Sequence, residues 1–255
     1  MSVDVHYTVD GPEDAPLVVL SGALGSRLDM WDPQMAGLTG QFRVVRYDMR
    51  GHGSSPVPPA PYSLADLGSD VLRLLDRLKV ERAHFAGLSI GGMIGMWLAA
   101  HAPERIDRLA LLCTSPKPPG TPEGWAERID TVRSGGTAAV APTVVGRWFT
   151  PAYAAREPET VALFVDMISA TSDEGYAGCC AAIQQMDLRP DLPSISAPTL
   201  VVAAEQDTSI PPELADLIVA GIPDSRLKVV PDAAHLVSWE QATLVNELLV
   251  EHFGK

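Results

Sequence analysis

The chain has 255 residues, of which 46% are hydrophobic and 20% charged, the balance of an ordinary globular protein and not of a disordered or fibrous one. At this length it forms one large α/β domain or two small ones and buries about 70–75% of the surface its unfolded chain exposes. A formal net charge of −13 argues against nucleic acid or anionic membrane as partner, since both require a basic footprint; a small anionic substrate remains open, because one buried arginine outweighs distant, salt-screened charge.

The three cysteines, Cys113, Cys179 and Cys180, show no CxxC spacing, so neither a disulfide framework nor a zinc site is indicated and a reducing compartment is expected. Met1 to His6 lacks the basic and apolar regions of a signal peptide, and no run approaches the ~18 apolar residues of a membrane span. The expectation is a soluble cytoplasmic protein.

In chain order, Val3 to Val9 alternates apolar and polar residues, the mark of a half-buried edge strand, and stops at Asp10-Gly11-Pro12. Leu17-Val18-Val19-Leu20 is an unbroken apolar run of the kind covered on both faces of a sheet, followed by the small-residue loop Ser21 to Ser26. Phe42 to Tyr47 leads into Asp48-Met49-Arg50-Gly51-His52-Gly53, and the prolines from Pro56 to Pro61 exclude regular structure. Ser63 to Leu78 is the clearest helix, with Leu64, Leu67, Val71, Leu74, Leu75 and Leu78 on one face and Ser63-x-x-Asp66 as a capping box. A buried strand, Ala83 to Ala86, then a buried helix over 89–102 and a strand over 105–114 complete a β-α-β alternation, which implies a parallel sheet with helices on both faces.

From about Ser115 to Leu192 the pattern changes to helical pieces interrupted by Pro142, Pro151 and Pro158, with no convincing strand. This reads as a helical cap, residues 115–192, inserted into a core made of 1–114 and 193–255 and lying over the carboxyl edge of the sheet, where ligands bind in open α/β folds. The sheet resumes with Thr199 to Ala203; a helix over Pro211 to Ala220, a last strand over Arg226 to Val230 and a terminal helix over Ser238 to Phe253, capped by Ser238-x-x-Gln241, finish the chain.

The chemistry concentrates in Gly87-Leu88-Ser89-Ile90-Gly91. A Gly-x-Ser-x-Gly pentapeptide between a buried strand and a buried helix is a nucleophile elbow, with the serine in a strained conformation above the sheet. On its own the pentapeptide is equally an ordinary Gly/Ser turn. A serine hydroxyl needs a base and a group to orient that base, and the loops at the same sheet edge supply both. His235 follows the last strand; His52, in Arg50-Gly51-His52-Gly53, is its rival, expected instead to support the elbow. Asp207 follows strand 199–203, with Glu205 and Asp232 as competitors. The order Ser89, Asp207, His235 is that of an α/β-hydrolase. The oxyanion would be held by the backbone N–H groups of Ile90 and of Leu24, with Ala23 as the alternative to Leu24.

With these elements in place, the chain resembles the α/β-hydrolase superfamily over its whole length. Ser26-Arg27-Leu28-Asp29-Met30-Trp31-Asp32-Pro33-Gln34, Phe42 to Asp48, Pro61 to Leu64, Glu81 to Phe85 and Arg147-Trp148-Phe149-Thr150-Pro151 make it most similar to the 3-oxoadipate enol-lactonases. The resemblance implies an α/β-hydrolase fold: a mostly parallel, twisted sheet with helices on both faces and the cap inserted after the sixth strand. It also implies hydrolysis of an enol-lactone by Ser89, with no metal or organic cofactor. The acetate arm of such a substrate is an anion that needs a positive partner in the pocket. Arg147 is the candidate, with Trp148 and Trp239 beside it; Arg27, Arg128, Arg133 and Arg189 are alternatives. Two positions depart from the family pattern: Ser21 to Ala23 lacks the polar pair usual before Leu24, and Trp239 stands where a smaller aliphatic residue is usual. A carboxylesterase, a C–C bond hydrolase of ring-cleavage products and a ligand sensor retaining the fold are the competing readings.

Overall fold

The computed structural model describes residues 2–255. Its centre is a seven-stranded sheet in the order β1-β3-β2-β4-β5-β6-β7, formed by β1 (Tyr7–Asp10), β2 (Leu17–Ser21), β3 (Arg43–Tyr47), β4 (Ala83–Leu88), β5 (Ile106–Leu112), β6 (Thr199–Ala204) and β7 (Ser225–Val230). Only β1 runs antiparallel, along β3; every other pairing is parallel. Every residue of β2, β4 and β6 is buried, as expected of apolar runs covered by helices on both faces. The edge strand β1 is shorter than the alternation of Val3 to Val9 suggests, beginning only at Tyr7.

The chain order reverses beside β2, which pairs with β3 on one side and with β4 on the other. At such a switch point the loops leaving two neighbouring strands diverge and open a crevice at their carboxyl ends. Register makes this concrete: Ser21 stands opposite Gly87, so the loop after β2 and the turn after β4 emerge side by side.

Three helices precede the sheet's interruption: α1 (Asp32–Leu38), α2 (Leu64–Arg77) and α3 (Ile90–His101). The capping box of α2 is present, Ser63 Oγ accepting from the Asp66 N–H while the Asp66 carboxylate accepts from the Ser63 N–H, both at 3.1 Å. Residues 115–192 carry α4 (Pro122–Gly135), α5 (Ala141–Val145), α6 (Pro151–Arg156), α7 (Pro158–Ser169) and α8 (Asp173–Gln185), and no strand. This segment follows the fifth strand, not the sixth, because a single strand stands before β2. The last helices are α9 (Glu213–Gly221), α10 (Val237–Glu240) and α11 (Ala242–Phe253). The expected capped helix from Ser238 is therefore two helices. Ser238 lies inside α10, fully buried, with its backbone carbonyl accepting from Gln34 Nε2 at 2.7 Å, and α11 starts without a side-chain cap.

Candidate active site

Ser89 occupies the turn between β4 and α3 at φ 59° and ψ −120°, a left-handed backbone that costs a non-glycine residue about 1–3 kcal/mol. The turn is overdetermined by its surroundings. The Ser89 N–H donates to the Leu112 carbonyl at 2.9 Å, and the Ser89 carbonyl accepts from the Thr114 hydroxyl at 2.7 Å and from the N–H groups of Gly92 and Met93. Glycine is required on both sides: a Cβ on Gly87 would stand 2.1 Å from the Gly91 carbonyl oxygen, and one on Gly91 would stand 2.1 Å from that of Ser21. These contacts are with backbone, which cannot swing aside.

Asp207 and His235 come from the loops after β6 and β7 and meet there. His235 Nδ1 lies 2.8 Å from Asp207 Oδ2, and both side chains are buried. The other Asp207 oxygen accepts the N–H groups of Ser209 and Ile210 at 2.8 and 2.9 Å, which fixes the carboxylate. With Nδ1 donating to this oxygen, the Nε2 lone pair is left free. Glu205 is exposed and its nearest donor is the Asp232 N–H at 3.5 Å; Asp232 is itself exposed. His52 is buried and bridges two backbone groups, Nε2 accepting the Gly25 N–H at 2.9 Å and Nδ1 donating to the Arg50 carbonyl at 3.1 Å. Burial holds its pKa below the usual imidazole value. His52 therefore braces the loop after β2 as a neutral ring.

That bracing bears on the expected oxyanion donors. In the loop after β2 the Ala23 N–H is directed at Met30 Sδ, 3.1 Å away, and the Gly25 N–H at His52. Between them the Leu24 N–H has no acceptor among the described residues, and Leu24 lies on the cavity wall with Ser89. One neighbour was not anticipated from sequence. Cys113, just past β5 at φ 44°, has its buried thiol pushed well above the ordinary range by desolvation and by the Asp207 carboxylate, so it stays protonated.

Ser89 and His235 line one cavity of about 670 Å³ together with Leu24, Met93, Trp125, Arg128, Arg147, Trp148 and Tyr176. Two of the five candidate arginines thus reach the wall. Arg128 lies over the Trp125 ring, 4.8 Å from its centroid. Arg27 and Arg189 are instead paired with Asp29 and Asp187 at 3.1 and 2.7 Å, and Arg133 is exposed on α4. Tyr176 is fully buried and its hydroxyl makes no hydrogen bond of ordinary geometry; burial raises its pKa, while the charges of Arg128 and Arg147 pull it down. Trp148 is on the wall, with its ring centroid 6.0 Å from that of His235. Trp239 is not: its indole N–H donates to the Met30 carbonyl at 2.7 Å and its ring meets Phe164 of α7 edge-on. Among the described residues no group of three His, Cys, Asp or Glu side chains is arranged to hold a metal ion, and no helix is long and apolar enough to cross a membrane.

Comparison with known proteins bears on the chain as a whole. The family described as the alpha/beta hydrolase fold matches residues 15–242. The 3-oxoadipate enol-lactonase 2 of Acinetobacter baylyi is 38% identical over 96% of this chain and 91% of its own length. Among solved structures, the enol-lactonase from Burkholderia xenovorans LB400 superposes with a TM-score of 0.96 at 42% identity, covering 98% of this chain and 96% of that one. A hydrolase from Pseudomonas aeruginosa PA01 gives 0.94 at 45% identity, covering 98% and 94%.

Proposed function

We propose that this chain, which belongs to the α/β-hydrolase family, is a serine hydrolase that opens a small anionic enol-lactone, 3-oxoadipate enol-lactone in the first instance. The observation that carries the reading is a buried Asp207–His235 pair bonded at 2.8 Å, with His235 lining one cavity together with Ser89, Arg128 and Arg147. That lining supports both acyl chemistry and an anionic substrate. The names of the Acinetobacter and Burkholderia proteins point to the same bond.

Ser89 Oγ attacks the lactone carbonyl while His235 Nε2 takes its proton, and Asp207 stabilises the imidazolium. The Ile90 and Leu24 N–H groups hold the oxyanion. Ile90 is the first residue of α3, where N–H groups have no partner within the helix and the helix dipole favours negative charge. Collapse of the intermediate breaks the ring C–O bond; the enolate oxygen takes the proton from His235 and the enol tautomerises to a ketone, leaving the acyl group on Ser89. Water, deprotonated by His235, then releases the acid. The substrate's free carboxylate is held by Arg147 and Arg128, with the Tyr176 hydroxyl as an additional donor, since an unpaired anion in a buried site costs several kcal/mol. Residues 115–192 act as the cap that supplies this wall.

A bulkier ester is the second reading, favoured by the cavity of about 670 Å³, which has room for a drug-sized ligand. The test is kcat/KM for 3-oxoadipate enol-lactone, followed by loss of its ultraviolet absorbance, beside that for p-nitrophenyl acetate. Faster turnover of the lactone supports the first reading. Slow lactone turnover with fast ester turnover sinks it.

A further inference from the structure

Glu240 closes α10, and its carboxylate collects hydrogen bonds from two separate parts of the chain. Oε1 accepts the Ala234 N–H at 2.8 Å. The Thr150 N–H lies 3.2 and 3.1 Å from the two oxygens, and Oε2 also accepts the Thr150 hydroxyl at 2.6 Å. Ala234 immediately precedes His235. Thr150 opens α6 and follows the cavity residues Arg147 and Trp148. On the other flank of His235 the Leu236 N–H donates to the Trp148 carbonyl at 2.9 Å. His235 is thus tied to the segment 147–150 on both sides, and the tie that depends on a side chain depends on Glu240. A carboxylate suits the task because both its oxygens only accept. Glu240 itself is not among the residues lining the cavity, so any effect it has on the reaction passes through its neighbours.

We infer that Glu240 is a positioning residue: it locks the His235 loop to the inner segment of the cap, so that the base and the arginine-bearing wall are held in one geometry. The inference rests on His235 being the base, as proposed above. The test is Glu240→Gln, which preserves size but replaces one acceptor oxygen with a donor, leaving Ala234 or Thr150 without its partner. In the folded variant kcat falls ~10–100-fold for both the enol-lactone and p-nitrophenyl acetate, the scale of a misplacement of about 1 Å. Phosphonylation of Ser89 by a p-nitrophenyl phosphonate slows by the same factor, and KM rises for the lactone but not for the small neutral ester. A variant that melts earlier yet keeps the parental kcat and phosphonylation rate at temperatures where it is folded overturns the inference. If Glu240→Gln does not fold, amide hydrogen exchange on the unaltered protein decides. Ala234 and Thr150 then exchange slowly and at matched rates, as one opening unit; independent rates overturn the lock. A parent protein inert to both the phosphonate and the ester refutes the serine-hydrolase reading instead, and the exchange rates still decide the lock.

Discussion

Replacing Asp207 with Asn perturbs one proton. One Asp207 oxygen is occupied by the Ser209 and Ile210 N–H groups at 2.8 and 2.9 Å, so the Asn carbonyl takes that place and its NH₂ group faces His235 Nδ1, where Oδ2 stood at 2.8 Å. The imidazole must then accept at Nδ1 and carry its proton on Nε2. It can no longer take a proton from Ser89. In Ser-His-Asp enzymes this tautomer reversal costs about four orders of magnitude in kcat, equivalent to about 5 kcal/mol of transition-state stabilisation. Because the two amide bonds survive, the fold should persist, with a circular dichroism spectrum like that of the parent. The control is Glu205→Gln: Glu205 is exposed and its carboxylate meets the Asp232 N–H only at 3.5 Å, so kcat should change by less than about twofold, with stability shifting within about ±0.5 kcal/mol. The assay is steady-state hydrolysis of p-nitrophenyl acetate by both variants. A larger loss in Glu205→Gln than in Asp207→Asn refutes the assignment of the acid.

Arg128→Gln and Arg147→Gln should each raise KM for the enol-lactone about tenfold or more, the value of a lost charge-assisted hydrogen bond of ~1.5–3 kcal/mol, and leave KM for p-nitrophenyl acetate unchanged; equal effects on both substrates contradict an anion-binding wall. His52→Ala leaves the Gly25 N–H and the Arg50 carbonyl without their bridge and should cost about 1–3 kcal/mol for each unpaired group, measured by urea unfolding. Its pH–rate profile should keep the parental shape, and loss of the acid limb, where protonation of the base shuts off the rate, would instead make His52 the base. Acid should destabilise the fold through His252, whose Nε2 donates to the Leu109 carbonyl and whose pKa burial lowers from 6.5 to about 4. The folded pKa is the lower one, so this contribution is complete above about 6.5 and is lost as pH falls toward 4. Thermal midpoints across that window should decline less steeply in His252→Gln, and identical slopes refute the linkage.

The parts legible in sequence were those fixed by periodicity and topology. Apolar runs mark β2, β4 and β6, and a β-α alternation brings the carboxyl ends of parallel strands to one edge, so loops as distant as 89, 207 and 235 share that edge. The capping box of α2 was readable because it is local. Short, weakly patterned elements were not: α1 has seven residues and no side-chain cap. Ser238-x-x-Gln241 matched a capping pattern, yet Ser238 is buried beneath Gln34. Which arginines face the cavity depends on how the helices of residues 115–192 pack, and residue type alone does not separate Arg128 and Arg147 from Arg27 or Arg189. Trp239 illustrates the same limit, since a residue close to the site in sequence turns its indole toward Met30. The role of Glu240 spans 90 positions to Thr150 and has no sequence motif.

The central claim is that Ser89, in its strained turn, forms the acyl-enzyme from an enol-lactone. It is tested most directly by comparing 3-oxoadipate enol-lactone turnover in the parent and in Ser89→Ala, with thermal unfolding of both as the check on folding. The expected result is rapid parental turnover and a loss of several orders of magnitude in a variant that remains folded. Turnover that survives the loss of the hydroxyl contradicts it.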